Sequence, residues 1–169
     1  LNRMGVRAGM SILDVGFGAG EMLLVANEMG LECAGVDIRD EYVNRLRKLL
    51  PDADLFRTGV FPSAILFDTT DVVTLGDVLE HVTDPRRMLK DVKIALRTGG
   101  TLWVSTPNFD SAFAVAAGER DPMRGVCEHI QWFSRKSLYK LLKQEGFEVI
   151  SYNVSKHFNG CMEVIARKE

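Results

Sequence analysis

Asp14-Val15-Gly16-Phe17-Gly18-Ala19-Gly20 places a carboxylate beside three glycines at alternating positions. Glycines at that spacing permit a tight turn and let a ligand approach the backbone with no Cβ in the way. Asp37 lies further along, where a carboxylate can accept both hydroxyls of a ribose. Read alone, the glycines fit an ordinary structural turn and Asp37 a helix cap or loop acid. Together they point to a nucleotide-like ligand. Asp77, Glu80 and His81 form a second cluster. Two carboxylates and an imidazole suit a divalent metal, but they serve equally as ligand contact and helix-start acids, and no metal is assigned. His81 has a simpler reading as a helix-terminal hydrogen-bonding group. His129 is the candidate general base, because imidazole chemistry near neutral pH suits proton removal from a hydroxyl. Its alternative role is to hold a loop in place. His157 is read as solvated.

These groups need elements to carry them. Ile12, Leu13 and Val15 form a short apolar run closed by glycine, which predicts a buried strand over 11–16. Met22, Leu23, Val25, Ala26 and Met29 follow with helical spacing, and Gly30 supplies the stop. The same reading predicts strands at 33–37, 54–57, 71–75 and 101–105 and a helix over 40–50. A further helix opens at Asp84 (N-cap) with Pro85 in the first position and runs to about residue 96. Such alternation implies a parallel sheet with helices on both faces. The glycine turn and Asp37 then fall at the carboxyl ends of neighbouring strands. Trp103, mid-strand, is read as core packing.

The end of the chain is patterned differently. Ser134 caps a helix with Leu138, Leu141 and Leu142 on one stripe, and Gly146 ends it. Residues 147–154 and 161–166 then read as strands whose short connection, containing Asn159-Gly160, requires an antiparallel pair. Between them and the fifth strand lies an irregular stretch from Pro107 to Phe133, long enough to be functional. Phe109, Phe113 and Val115 could wall a pocket there, and Arg120, Arg124 and His129 could orient a polar ligand. Trp132 and Phe133 could line the pocket or pack the loop.

Composition narrows the field. The 169 residues are 46% hydrophobic with a formal net charge of -2, so one domain spanning 1–169 is expected and no field argues for nucleic acid. No apolar run approaches the roughly 20 residues of a membrane span. Cys33, Cys127 and Cys161 are widely spaced and odd in number, which favours reduced thiols and a cytoplasmic location.

From about Gly9 to Ala166 the chain resembles the class I S-adenosylmethionine-dependent methyltransferases, and within them the subgroup that includes the ubiquinone-biosynthesis O-methyltransferases. The glycine turn is similar to their first motif, and Asp37 to their ribose-binding acid. Residues 71–82, ending in Leu79-Glu80-His81-Val82, resemble their fourth strand and its exit. Gly99-Gly100 with Trp103 to Asn108 resembles the fifth, and Glu128-His129 with Phe133-Ser134 the later part of the subgroup. The resemblance implies a Rossmann-like α/β doubly wound sheet of order 3-2-1-4-5-7-6 with the antiparallel hairpin last. It also implies S-adenosyl-L-methionine as cofactor. The implied contacts are Asp14, Gly16, Phe17, Gly18, Gly20, Asp37, Ile38, Gly59, Val60, Gly76, Asp77 and Val78, with the methionine part near Asp14, Gly16, Gly18 and Gly76-Asp77. The family often carries an acid just after the third strand, against the adenine. This chain has Arg57-Thr58-Gly59-Val60-Phe61 there, so backbone groups at Gly59 and Val60, or packing by Phe61, are assigned that contact. The expected partner is a small-molecule methyl acceptor, with oxygen the expected atom and nitrogen or carbon open. An N-terminal segment closing over the site is expected to be missing. Two other readings stay open: an NAD(P)-dependent oxidoreductase, against which the terminal hairpin argues, and a non-catalytic cofactor-binding module.

Overall fold

A computed structural model describes residues 1–57, 68–156 and 158–169. Gly59, Val60 and Phe61, assigned above to the adenine, and His157 lie outside the described residues. Five strands run parallel: β1 (Ser11–Val15), β2 (Glu32–Asp37), β3 (Asp54–Arg57), β4 (Thr70–Gly76) and β5 (Leu96–Pro107). β6 (Phe147–Val154) and β7 (Cys161–Lys168) pair antiparallel, and β7 joins β5 antiparallel. The sheet order is β3-β2-β1-β4-β5-β7-β6, as the resemblance implies. The strand order reverses between β1 and the central strand β4, which opens a crevice at their carboxyl ends.

Alternation along the strands builds two cores. Leu13, Val15, Leu75, Val104 and Val164 face α3 (Pro85–Ala95) and α5 (Arg135–Gln144), which follows the long excursion. Ile12 and Val72 face α1 (Glu21–Glu28) and α2 (Asp40–Leu49), where Leu23, Val43 and Leu46 meet them. Two helix starts agree with the sequence reading. The Asp84 carboxylate accepts from the Arg87 N–H, with Pro85 in the first turn. α5 (Arg135–Gln144) opens on a reciprocal box in which Ser134 Oγ accepts from Ser137 N–H and Ser137 Oγ from Ser134 N–H. That box holds Leu138 and Leu142 fully buried, each worth roughly 1.5–3 kcal/mol of apolar burial.

Two expectations are revised. The stretch from Pro107 to Phe133 is folded rather than irregular. It holds α4 (Ala112–Ala117), capped by Ser111, and two 3-10 turns at Gly118–Arg120 and Pro122–Gly125. An alanine-rich single turn and a half has no polar face, so hydrophobic periodicity does not reveal it. Trp103 is only half-buried. On its face of the sheet, β5 and β7 meet the N-terminal turn Asn2–Met4 rather than a helix.

Candidate functional site

The glycine turn leaves β1 with Gly16 and Gly18 in the left-handed region, at φ 71 and 54. A Cβ on Gly16 would stand 2.8 Å from the Val78 methyl, so close passage of the 76–78 segment requires glycine there. At Gly18 the same construction meets nothing within 4 Å, which leaves an open cradle over the backbone. Gly20 serves packing instead: its missing side chain makes room for Leu46 of α2. Phe17 is buried in the α1/α2 core, beneath Gly35, and also reaches a cavity wall with Asp14 and Gly16.

Asp37 binds the turn directly. Its Oδ2 accepts from the Gly18 N–H at 2.9 Å and its Oδ1 from the Arg39 N–H at 2.8 Å, and the side chain is 5% exposed. One acid therefore fixes both the glycine cradle and the start of the next loop. Each oxygen keeps a lone pair for a further donor. Asp37, Ile38, Asp77, Val78 and His81 line one cavity of about 870 Å³, together with Gly16. Asp14, Gly16 and Gly76 line a second cavity of about 480 Å³. The two share Gly16, so a ligand laid across the turn could occupy both. The described residues thus fit an adenosyl ligand, with an acid for ribose, bare backbone under the turn and room on either side.

Asp14 and its register partner Thr74 project from the same face of the sheet, where Thr74 Oγ1 donates to Asp14 Oδ1 at 2.6 Å. Burial pushes its carboxyl up to about 7, against the hydrogen bond from Thr74 and helped by the nearby Asp37 and Glu21 charges. Asp77 adopts a left-handed backbone, φ 53, which is uncommon for a residue with a side chain. Ser105 holds it there: the Asp77 N–H donates to the Ser105 carbonyl, and Ser105 Oγ donates to Asp77 Oδ1, both at 3.0 Å. The next hydroxyl on β5, Thr106, donates to Glu80 Oε2 at 3.0 Å from the opposite face.

Glu80 is fully buried, and its Oε1 has no hydrogen-bond partner among the described residues. Burial raises its carboxyl to about 7, with the Asp77 charge adding to the effect. The excursion after β5 docks here, because the Ile130 and Gln131 N–H groups both donate to the Glu80 carbonyl. That docking brings His129 to His81, rings edge to face at 4.9 Å. Ligand-capable atoms of Glu80, His81 and His129 all lie within 4.8 Å of one another. Among the described residues these could share a cation or a proton, whereas Asp77 is turned away to Ser105. His81 Nδ1 faces the Glu128 carbonyl and His129 Nδ1 the Met123 carbonyl, each at 2.9 Å. In neutral rings those nitrogens carry the protons, which leaves both Nε2 lone pairs available.

His81 lines the large cavity, and His129 stands beside it. Around them Phe109 stacks on Trp132 at 4.3 Å with the Arg124 guanidinium against both rings. Phe113 and Val115 turn outward, 38% and 70% exposed, so they do not wall an enclosed pocket. Sequence reasoning did not anticipate Thr74, Ser105 or Thr106. The hydroxyls at successive β5 positions were the available signal, but their acid partners are distant in the chain.

A family of methyltransferase domains matches the chain over residues 1–152. A probable S-adenosylmethionine-dependent methyltransferase of Mycolicibacterium smegmatis is 27% identical over 160 residues, covering 95% of this chain and 60% of that protein. A ubiquinone biosynthesis O-methyltransferase of Idiomarina loihiensis is 32% identical over 156 residues, covering 86% and 64%. The chain thus spans under two thirds of the length of these curated relatives. A crystal structure of an S-adenosylmethionine-dependent methyltransferase from Aquifex aeolicus superposes with TM-score 0.76 at 18% identity, over 99% of this chain and 87% of that one. With the sheet order and the terminal hairpin, the match over most of its length means that the chain belongs to the methyltransferase-domain family and carries the class I S-adenosylmethionine-dependent methyltransferase fold.

Proposed function

We propose that this chain binds S-adenosyl-L-methionine and transfers its methyl group to an oxygen of a small-molecule acceptor. The observation that carries the reading is the single cavity running from Asp37, tied to the glycine turn, to His81 beside His129. The cofactor supplies a methyl carbon on a sulfonium, a good leaving group for in-line displacement. Asp37 accepts the ribose hydroxyls, and the cradle over Gly16 and Gly18 lets the cofactor lie on the backbone. Asp14 and the edge at Gly76 and Asp77 receive the methionine part. Gly20 supports the turn from beneath. Ile38 and Val78 give apolar walls to the adenosine side, with the Gly59-Val60 segment assigned to the adenine.

What remains for the protein is to align the acceptor, exclude water and take up one proton. The excursion through α4 covers the carboxyl edge of β5, and its docking on Glu80 fixes His129. His129 accepts the acceptor's hydroxyl proton as the oxygen attacks, with the His81 ring beside it on the cavity wall. No nucleic acid partner is expected. No helix among the described residues is long and apolar enough to cross a membrane.

The test has two parts. S-adenosylhomocysteine should raise the melting temperature while NADH and NADPH do not; the opposite pattern would favour the oxidoreductase reading. Transfer from labelled cofactor to a panel of hydroxyl, amine and carbon acceptors then identifies the atom. His129→Ala should keep its affinity for S-adenosylhomocysteine and lose about 10²–10⁴-fold in turnover. Full turnover in that variant would retire His129 as the base, and loss confined to His81→Ala would move the role to its neighbour.

A further inference from the structure

Trp103 has a place in this fold that its mid-strand position does not explain. Asp14, Thr74 and Trp103 are register partners on β1, β4 and β5, and neighbours in register project from the same face. Asp14 and Thr74 are buried in that row, while Trp103 is half-buried. Two residues further along β4 the same face carries Gly76. The six-membered end of the indole lies there, with Cζ3 3.4 Å from where a Cβ on Gly76 would stand. A Cβ at 76 would meet the ring in ordinary van der Waals contact, so the indole lies alongside Gly76 at the carboxyl edge of the sheet.

There Trp103 joins Asp14, Gly16 and Gly76 on the wall of the cavity of about 480 Å³. The ionisable side chains on that wall are Asp14 and Glu21, and no lysine, arginine or histidine is among its described lining residues. Two carboxyl groups and an indole form a lining that favours a cation. The electron-rich face of tryptophan attracts positive charge, more strongly where water is excluded.

Resting on the cofactor assignment proposed above, we propose that Trp103 reads the charge of the sulfonium and favours S-adenosylmethionine over the uncharged thioether S-adenosylhomocysteine. Substrate and product differ at this point by one methyl group and one positive charge. A ring that stabilises the charge holds the substrate and loosens its grip once the methyl has left. Asp14 favours the cationic amino group but cannot tell the two ligands apart, because both carry that amine.

Calorimetric titration of the chain with S-adenosylmethionine and S-adenosylhomocysteine separately tests this, in wild type, Trp103→Leu and Trp103→Phe. Trp103→Leu should weaken S-adenosylmethionine about 3- to 30-fold, the range for a partly to fully desolvated cation–π contact, and S-adenosylhomocysteine less than about twofold. Trp103→Phe, which keeps an aromatic face, should retain most of the preference; if the leucine variant does not fold, Trp103→Met, which fills the space without an aromatic face, replaces it with the same expected losses. Equal losses for both ligands would mean the ring only packs the cavity and would overturn the proposal. Unchanged affinities would overturn it too. A wild-type chain binding neither ligand would sink the cofactor assignment itself, a result distinct from either.

Discussion

Asp14 should make the ligand-free protein less stable as pH rises toward neutrality. Its carboxyl ordinarily titrates at 3.8 and is pushed to about 7 in the fold, chiefly by burial. At 1.36 kcal/mol per pH unit, that displacement is roughly 4 kcal/mol against ionisation in the folded state. The folded pKa is raised, so between about 4 and 7 the folded chain holds a proton that the unfolded chain has released. Stability therefore falls through that window, by up to about 1.4 kcal/mol per pH unit, and levels off above it. Glu80, also raised to about 7, adds a slope of the same sign. Asp14→Asn keeps the shape and the acceptor for Thr74 Oγ1 while removing the charge. Urea unfolding at pH 5, 6, 7 and 8 should give a shallower decline for the variant than for wild type, by about one proton's worth. In wild type a ligand's ammonium near Asp14 favours the ionised form, so S-adenosylhomocysteine should bind more tightly as pH rises from 6 to 7.5. It should also release protons, seen as buffer-dependent heats in calorimetry. Parallel stability curves for wild type and Asp14→Asn would refute the reasoning, because the buried carboxyl would then be titrating as it does in water.

Asp37→Ala should weaken S-adenosylhomocysteine by on the order of 1.5–3 kcal/mol for each charge-assisted bond lost. It should also lower the ligand-free melting temperature by several degrees, because the same carboxylate holds the Gly18 and Arg39 N–H groups; calorimetric titration with a thermal melt separates the two effects. Ser134→Ala should cost about 1 kcal/mol by breaking the box at the start of α5, measured as a lower urea midpoint, with cofactor affinity unchanged.

Much of this protein is local and therefore legible in the chain itself. The period of Ile12 to Val15, the stop at Gly30, the Asp84-Pro85 start and the Ser134 cap each depend on a few neighbouring residues, and all appear in the fold at or within a residue or two of the expected positions. The glycine turn and Asp37 were readable for the same reason, since each ends a strand whose neighbour is dictated by parallel alternation. Tertiary structure decided what those residues touch. That Asp37 binds Gly18, that Ser105 and Thr106 clamp Asp77 and Glu80 from opposite faces, and that Asp14 rests on Thr74 all depend on strand register, which no local pattern encodes. The meeting of His81 with His129 depends on a loop docking through backbone N–H groups to the Glu80 carbonyl, and backbone bonds leave no mark on side-chain composition. Trp103 shows the division most plainly. Alternation assigns it to a face of β5, but whether a helix or an open cavity lies across that face is settled only by how the whole chain packs.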